Sequence, residues 1–546
     1  MTEKELVEQA NVDKPLEYMT EKGDKTSYHS KESKNTIEDE EDIESLQHGT
    51  QRGLSARHIQ MISLGGCIGT GLFLSSGNSI AEAGPAGALI AYCVVGFMVY
   101  CIMTCLGEMA TFMPVSGSFN HYATRFVDPS LGFALGWNYW FCAIGIATEL
   151  AAAATIIKYW GQFMPDPAWS TIFLVLIIGV NMVGVKLFGE LEYWFALIKI
   201  LIVLVFIIIG ILVTTGALGG HTIGFEYWKN PGAFSGGGVG TVSVLLSAGF
   251  SFQGTEIVGI TAGEAKNPTK TVPRAIRNTF WRIIFFYIIT IFLLGMCLPY
   301  TDEGLSNSDG GAGTASFTLV FEAAGIKVGA HIINAIVLTS VLSAANSSLY
   351  TTSRTLLGLA RDENAPAFMG RVNKLGAPYW SVLFSSVVGF ACVFASIYSA
   401  DQAFVWFQAL SAVTGFISWA GIGGVHIRFR RAYARQGRSL DELPYRSAWY
   451  PFSGIFACVL SILIILGQGY GAFTPKFDIT TFCTSYVGIL PFFICYFGHK
   501  IITKKKIVSL EEVDFETGRV TRFDIENDNE HEKNTSFGKR VLNIIS

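Results

Sequence analysis

Charge is scarce in the body of this chain. Of its 546 residues only 15% are Asp, Glu, Lys or Arg while 50% are apolar, and the mean hydropathy is +0.41. That balance excludes a soluble enzyme of this length. The ten cysteines include no CxxC spacing and fall almost entirely in apolar runs, which sets aside a disulfide framework or thiolate metal centre and leaves them as small core residues. His58 and His121 stand apart from each other and give no metal set. A nucleophile motif and a phosphate-binding loop are both missing outside the apolar runs, so a membrane enzyme has little support. No basic face or aromatic-basic array stands outside the loops, which excludes nucleic acid as a partner. The first 50 or so residues hold no apolar stretch of the kind found in a cleavable signal, so the first span is expected to direct insertion itself.

What is present is a succession of long apolar runs. Windows of roughly 20 residues, the length that crosses ~30 Å of hydrocarbon, fall at 60–82, 86–110, 131–160, 169–187, 193–216, 239–262, 281–299, 329–353, 380–399, 403–426, 451–471 and 479–501. They predict an all-α polytopic membrane protein with twelve spans over 53–502, between an N-tail (1–52) expected to be disordered and a charged C-tail (503–546) expected to lie in water. The net charge of −4 reflects acidic ends. Basic residues gather in even-numbered loops: Lys266, Lys270, Arg274, Arg277 and Arg282 after span six, Arg354, Arg361, Arg371 and Lys374 after span eight, Arg428, Arg430, Arg431, Arg435 and Arg438 after span ten. The odd-numbered loop after span seven reads Thr301-Asp302-Glu303-Gly304. The positive-inside rule therefore puts both termini in the cytoplasm.

Two spans are interrupted. Span one carries Gly65-Gly66-Cys67-Ile68-Gly69-Thr70-Gly71, and span six carries Ser251-Phe252-Gln253-Gly254-Thr255-Glu256. Irregular backbone at membrane depth persists only where it is buried in protein or lines a cavity. Glycines that simply allow close helix packing are the competing explanation, and the density of glycine and hydroxyl positions favours a site. Spans one and six begin on opposite sides, so a repeat of 60–217 in 239–428 is inverted, with the spans at 451–501 added. Half-helix N-termini suit a carboxylate and unwound carbonyls suit an ammonium. A ligand carrying both is an amino acid. The first break is thereby expected to hold the carboxylate and the second the amino group.

Arg57-His58-Ile59-Gln60-Met61-Ile62-Ser63-Leu64, Gly84-Pro85, Gly107-Glu108-Met109-Ala110, Phe252-Gln253-Gly254-Thr255-Glu256, Ile260-Thr261-Ala262-Gly263-Glu264-Ala265, Asn267-Pro268, Val272-Pro273-Arg274-Ala275-Ile276, Ser343-Ala344-Ala345-Asn346-Ser347 and His426-Ile427-Arg428-Phe429 resemble the yeast amino acid permease family of the amino acid, polyamine and organocation transporters. The resemblance runs from about 55 to 500. It implies a five-plus-five inverted-repeat, leucine-transporter-like fold with spans one and six broken and two further helices. It also implies an amino acid:proton symporter of the plasma membrane, with H+ as coupling ion and no cofactor. The whole chain looks nearest to the basic amino acid permeases for lysine and arginine, including Ser439-Leu440-Asp441-Glu442-Leu443-Pro444, whereas 148–158 is also similar to general and neutral permeases.

Ionisable residues within spans are expensive and mark function. Glu149 is positioned to face a cationic substrate side chain, or else to pair internally or hold helices together as a protonated carboxyl. Lys199, in an apolar fifth span, resembles the lysine proposed as the proton switch in related transporters. A lysine buried without a fixed carboxylate is able to release its proton during transport, and the alternative is a permanently charged lysine bonded to carbonyls of the broken first helix. Glu256 is a second candidate for proton coupling, or a helix cap. Ser343, Asn346, Ser411 and Thr414 are polar candidates for contacting the substrate side chain, each with an interhelical hydrogen bond as the alternative. Phe252 and Trp406 are candidate gates, against lipid-facing or packing roles. The sequon Asn346-Ser347-Ser348 lies in a predicted span and is expected to be inaccessible.

The N-tail lysines Lys4, Lys14, Lys22, Lys25, Lys31 and Lys34, near the acidic run Glu38-Asp39-Glu40-Glu41-Asp42, resemble the ubiquitin-acceptor tails of fungal permeases. They imply a ubiquitin ligase or arrestin adaptor as partner, beside the bilayer and the amino acid. A broad-specificity or neutral permease and a transporter-like amino acid sensor remain as alternatives.

Overall fold

The apolar runs fold as helices. The computed structural model describes residues 61, 68–115, 118–262, 268–305, 315–395, 397, 400–473 and 476–520, and all regular structure among the described residues is helical. In chain order the principal helices are α1 (Thr70–Phe73), α2 (Ser75–Phe112), α3 (Ser118–Phe126), α4 (Pro129–Phe141), α5 (Ile144–Ile157), α6 (Asp166–Val183), α7 (Val185–Thr214), α8 (Gly237–Phe252) and α9 (Ile257–Thr261). They continue as α10 (Pro268–Arg282), α11 (Ile289–Cys297), α12 (Ser316–Ala323), α13 (Lys327–Arg361), α14 (Tyr379–Ala395), α15 (Ala400–Arg435), α16 (Phe452–Gly467), α17 (Ile479–Tyr486) and α18 (Leu490–Thr503). Among the described residues nine helices are long and apolar enough to cross a membrane, and Tyr379–Ala395 is a shorter apolar one. The protein is an all-helical polytopic membrane protein. The N-tail and its lysines lie outside the described residues.

Local chemistry explains the punctuation. Gly84, at φ 74°, divides α2 into two arms, and a Cβ there would collide with the backbone of 233–235. Asp128 caps α4 by accepting from the Ser130 amide at 3.0 Å, with Pro129 preset for the first turn. Helix α5 is small on all sides: Ala151, Ala152, Ala153 and Ala154 are fully buried, and it is surrounded by α6, α13, α14 and α15. Small residues allow backbones to approach this closely in a membrane. In α7 the sides are sorted by polarity. Glu192, Ala196, Lys199, Val203 and Phe206 point inward at helical spacing while Trp194, Leu201, Leu204 and Ile208 are exposed, the arrangement expected where the solvent is lipid.

Two expectations change. Helices α13 and α15 run on past their apolar windows to Arg361 and Arg435, and α10 starts at Pro268, ahead of the window at 281–299, because helix formation continues where hydropathy falls. Arg282 and Arg354 are buried, 1% and 5% exposed, and Arg354 stacks 3.6 Å over the Tyr350 ring, so neither is a loop charge. The C-terminal segment, expected to lie in water, folds back on the bundle as far as it is described. The Val508 amide donates to the Val127 carbonyl (2.9 Å) and the Val520 amide to the Phe112 carbonyl (3.0 Å). Val513 and Phe515 are buried, with Phe515 among the rings of Phe112, Phe126, Phe429 and Tyr433. Arg125 pairs with Asp514 (2.5 Å), Arg435 with Glu511 (2.8 Å) and Arg438 with Glu516. The sequence signal was Val513 and Phe515 alternating with Asp514 and Glu516, an amphipathic strap hidden by its charge.

Candidate substrate site

The two breaks meet at the centre of the bundle. Ile68 and Gly69 are non-helical ahead of α1, and Leu74 separates α1 from α2. The second break spans Gln253 to Glu256 between α8 and α9, with Gly254 at φ 88°. A Cβ on Gly71 would overlap the backbone of Ser251. Its absence lets the Ser251 hydroxyl donate to the Gly71 carbonyl at 2.7 Å, and the Tyr92 hydroxyl lies 2.9 Å from the same Ser251 oxygen. Gly65, Gly66 and Cys67 lie outside the described residues.

A cavity of about 90 Å3 opens beside the breaks, lined by Gly69, Gly71, Tyr139, Glu149, Gln253 and Glu256 among others. Glu149 is 7% exposed; its Oε1 accepts from the Thr70 hydroxyl at 3.0 Å, and its Oε2 has no hydrogen-bond partner among the described residues. Glu256 is fully engaged. It accepts from Tyr139 (3.2 Å), the Gly254 amide (3.2 Å), Thr255 (3.4 Å) and the Trp419 indole (3.2 Å). Four donors around one carboxylate fix its position. Gln253 is pinned to α15, donating to the Ser411 carbonyl at 2.7 Å and accepting from the Ser411 hydroxyl at 3.0 Å.

Behind Glu149 lies a buried ion pair. Lys199 Nζ is 3.6 Å from Glu192 Oε1, both side chains fully buried, and Ser343 donates to the Glu192 carboxylate (2.8 and 2.9 Å). Lys199 also acts electrostatically on Glu149. Lys199 therefore does have a fixed carboxylate, contrary to the sequence expectation. Glu192 sits two turns before it on the same side of α7, a spacing of seven that the sequence carried.

A family model described as amino acid permease matches residues 58–512. The chain belongs to the amino acid permease family. It is a multi-pass membrane transporter and not an enzyme. The permease is 46% identical over 473 residues to a lysine-specific permease of Lactococcus lactis, covering 85% of this chain and 92% of that one. It is 44% identical to a histidine permease of the same organism over 86% of this chain and 98% of the relative. A lysine-specific permease of Saccharomyces cerevisiae is 40% identical over 88% and 81%.

Other predicted residues of the permease are dispersed. Phe252 is fully buried, its ring centroid 4.4 Å from that of Tyr287 and 5.9 Å from that of Tyr92, and it does not line the cavity; Phe250 does. Trp406 is 46% exposed and away from the cavity. Asn346 accepts from Asn181 at 2.7 Å, an interhelical bond, and as a buried residue its sequon is inaccessible as expected. Thr414 lies 3.0 Å from Cys142 Sγ, which lines the cavity, as does Ser411. The α13 wall is formed by Ala344, Ser347, Ser348, Thr351 and Thr352. Their spacing of three and four in Ala344-Ala345-Asn346-Ser347-Ser348-Leu349-Tyr350-Thr351-Thr352 traces one small, hydroxyl-rich side of a helix, the signal that would have found them. Tyr139 and Trp419 carried no such signal.

Proposed function

We propose that this permease imports basic amino acids such as lysine and arginine across the plasma membrane together with protons, both termini lying in the cytoplasm. In this reading it has twelve spans. The two arms of α2 on either side of Gly84 count separately, α8 and α9 form the broken sixth span, and the first ten spans make the inverted five-plus-five repeat of the leucine-transporter-like fold. The observation that carries the substrate assignment is the unpartnered Glu149 Oε2 at the cavity wall. A buried carboxylate oxygen without a partner is costly, and a substrate ammonium satisfies it. Around the cavity three buried carboxylates, Glu149, Glu192 and Glu256, accompany one buried ammonium, Lys199, among the described residues, an excess that favours a cationic ligand. The lysine-specific relatives support the same assignment.

The substrate carboxylate is assigned to the first break, Gly65 to Gly71, and the amino group to carbonyls of the second, Ser251 to Glu256. Lys199 and Glu192 are the proton-coupling pair, and they reach the site through Glu149. Each positive charge moved inward gains ~2.3 kcal/mol per 100 mV of inside-negative potential, so a cationic substrate entering with a proton uses the potential twice. The test is uptake of labelled lysine, arginine and neutral amino acids into cells lacking their own permeases, with and without a protonophore. Absence of lysine and arginine uptake despite normal surface expression overturns the substrate assignment. Uptake insensitive to the protonophore overturns the coupling.

A further inference from the structure

A second, larger cavity lies beyond the breaks, away from the C-terminal strap. Its volume is about 450 Å3 against about 90 Å3 for the central one. Its walls come from the first arm of α2, the outer part of α8 and the start of α15, and they bring together Asn78, Glu82, Ser247 and Gln408. Glu82 is exposed into this space, near Ser243, whose hydroxyl donates to the Gly240 carbonyl at 2.9 Å. Asn78 Oδ1 is buried without a hydrogen-bond partner. No cationic side chain is among the described residues that line the cavity. Carboxylate, amide oxygens and hydroxyls together form a set of acceptors, which is what an ammonium with three donors, or a guanidinium, requires.

The floor of this cavity is the roof of the central one. Gln253 and Ser411 line the central cavity, whereas Ala412, next to Ser411 in α15, and Ser247 of α8 line the upper one. Between them run the paired hydrogen bonds of Gln253 with Ser411 and the contact of Gln253 Nε2 with the Ala412 carbonyl at 3.3 Å. These polar bonds separate the two cavities, and bonds of this kind re-form with little loss when a polar substrate replaces one partner.

We propose that the upper cavity is a first binding station for the cationic end of the substrate, with Glu82 as its counter-ion, occupied before the Gln253–Ser411 bridge opens to the central site. The ligand class is an amino acid with an ammonium or guanidinium side chain. This rests on the basic-substrate reading above. Because Glu82 is open to solvent, its attraction is screened by salt and acts on capture more than on the later steps.

The experiment is the concentration dependence of labelled lysine uptake at low and at physiological ionic strength, at constant osmolarity, for wild type, Glu82→Gln, Glu82→Asp and Gln408→Ala at matched surface expression. The expected result for Glu82→Gln is a KM about five- to tenfold higher at low ionic strength with Vmax unchanged, and a KM that no longer rises with salt as it does in wild type. Glu82→Asp should recover most of the loss. Gln408→Ala, which keeps the carboxylate, should raise KM about two- to threefold and retain the salt dependence. A lysine KM in Glu82→Gln within twofold of wild type, or a fall in Vmax alone, overturns the station while leaving the basic-substrate reading intact. Absence of lysine uptake by wild type removes that reading, and the assigned ligand with it.

Discussion

The hydroxyl of Ser251 donates to the carbonyl of Gly71 at 2.7 Å, so the two interrupted helices are joined to each other at the point where both lose regular backbone. A polar bond does here what side-chain packing does elsewhere in the bundle. The bond is available only because position 71 has no Cβ.

Gly71→Ala should therefore be among the most damaging small substitutions in the protein. Overpacking of this kind costs ~1–3 kcal/mol, and the displaced Ser251 leaves a buried carbonyl unsatisfied at ~1–3 kcal/mol more. Thermal unfolding in detergent should show a clear drop, and uptake at matched surface expression should fall at least tenfold. Ser251→Ala should lose only the second part.

Glu149→Gln keeps an acceptor for Thr70 but removes the charge. It should raise the KM for lysine and arginine about tenfold, which is ~1.4 kcal/mol, with a smaller effect on any neutral substrate. Competition of neutral and basic amino acids against labelled lysine measures this. Equal losses for both substrate types remove Glu149 from side-chain recognition.

For the Lys199–Glu192 pair, removing either partner leaves an uncompensated buried charge, at ~3–5 kcal/mol. Lys199→Ala and Glu192→Gln should each lower the unfolding temperature, while the double variant Glu192→Gln with Lys199→Met should recover much of it. In reconstituted vesicles Lys199→Ala should abolish accumulation under a pH gradient while sparing counterflow exchange. Loss of both processes in a folded variant assigns the pair to architecture alone.

The strap responds to pH in a defined direction. Hydrogen bonds from Ser509 and Arg435 hold Glu511 down at about 2. Hydrogen bonding within the strap at Thr517, together with Arg125, holds Asp514 below its usual range, and Arg438 does the same for Glu516. Depressed carboxylates stabilise the docked form fully above their unfolded values, ~4, and lose that contribution as pH falls through the docked ones. Amide exchange of 508–520 should be pH-independent in its protection from 7 to about 5, then lose protection progressively below 4. Protection already lost near 6 contradicts the assignment.

Much of this was legible from residue order. The apolar windows mark the helices because lipid demands length and low charge, and the two glycine-rich breaks, as far as they are described, do converge on one cavity. What escaped depends on rotation about helix axes. Lys199 reads as a lone base when Glu192, seven residues earlier, is passed over; only their shared side of α7 makes them a pair. Asn346 reads as a substrate contact, yet its neighbour Ser347 lines the cavity, because a shift of one residue turns about 100° around α13; Ser343, one turn before Ser347, is taken up by the Glu192 carboxylate. Phe252 lies in the break itself and still turns away, into the rings of Tyr92 and Tyr287.

The strap ties the end of α2, through Phe112, to α3, through Arg125, and to α15, through Arg435 and Arg438. These elements belong to different parts of the chain, and residues 508–520 bridge them at that end, beside the loop whose Ser447 amide donates to Glu108 of α2 at 2.7 Å. Any stroke that parts α2 from α15 there must first peel the strap away or carry it along. On the orientation proposed above that end faces the cytoplasm, so a partner holding 508–520 there would slow any motion that parts α2 from α15.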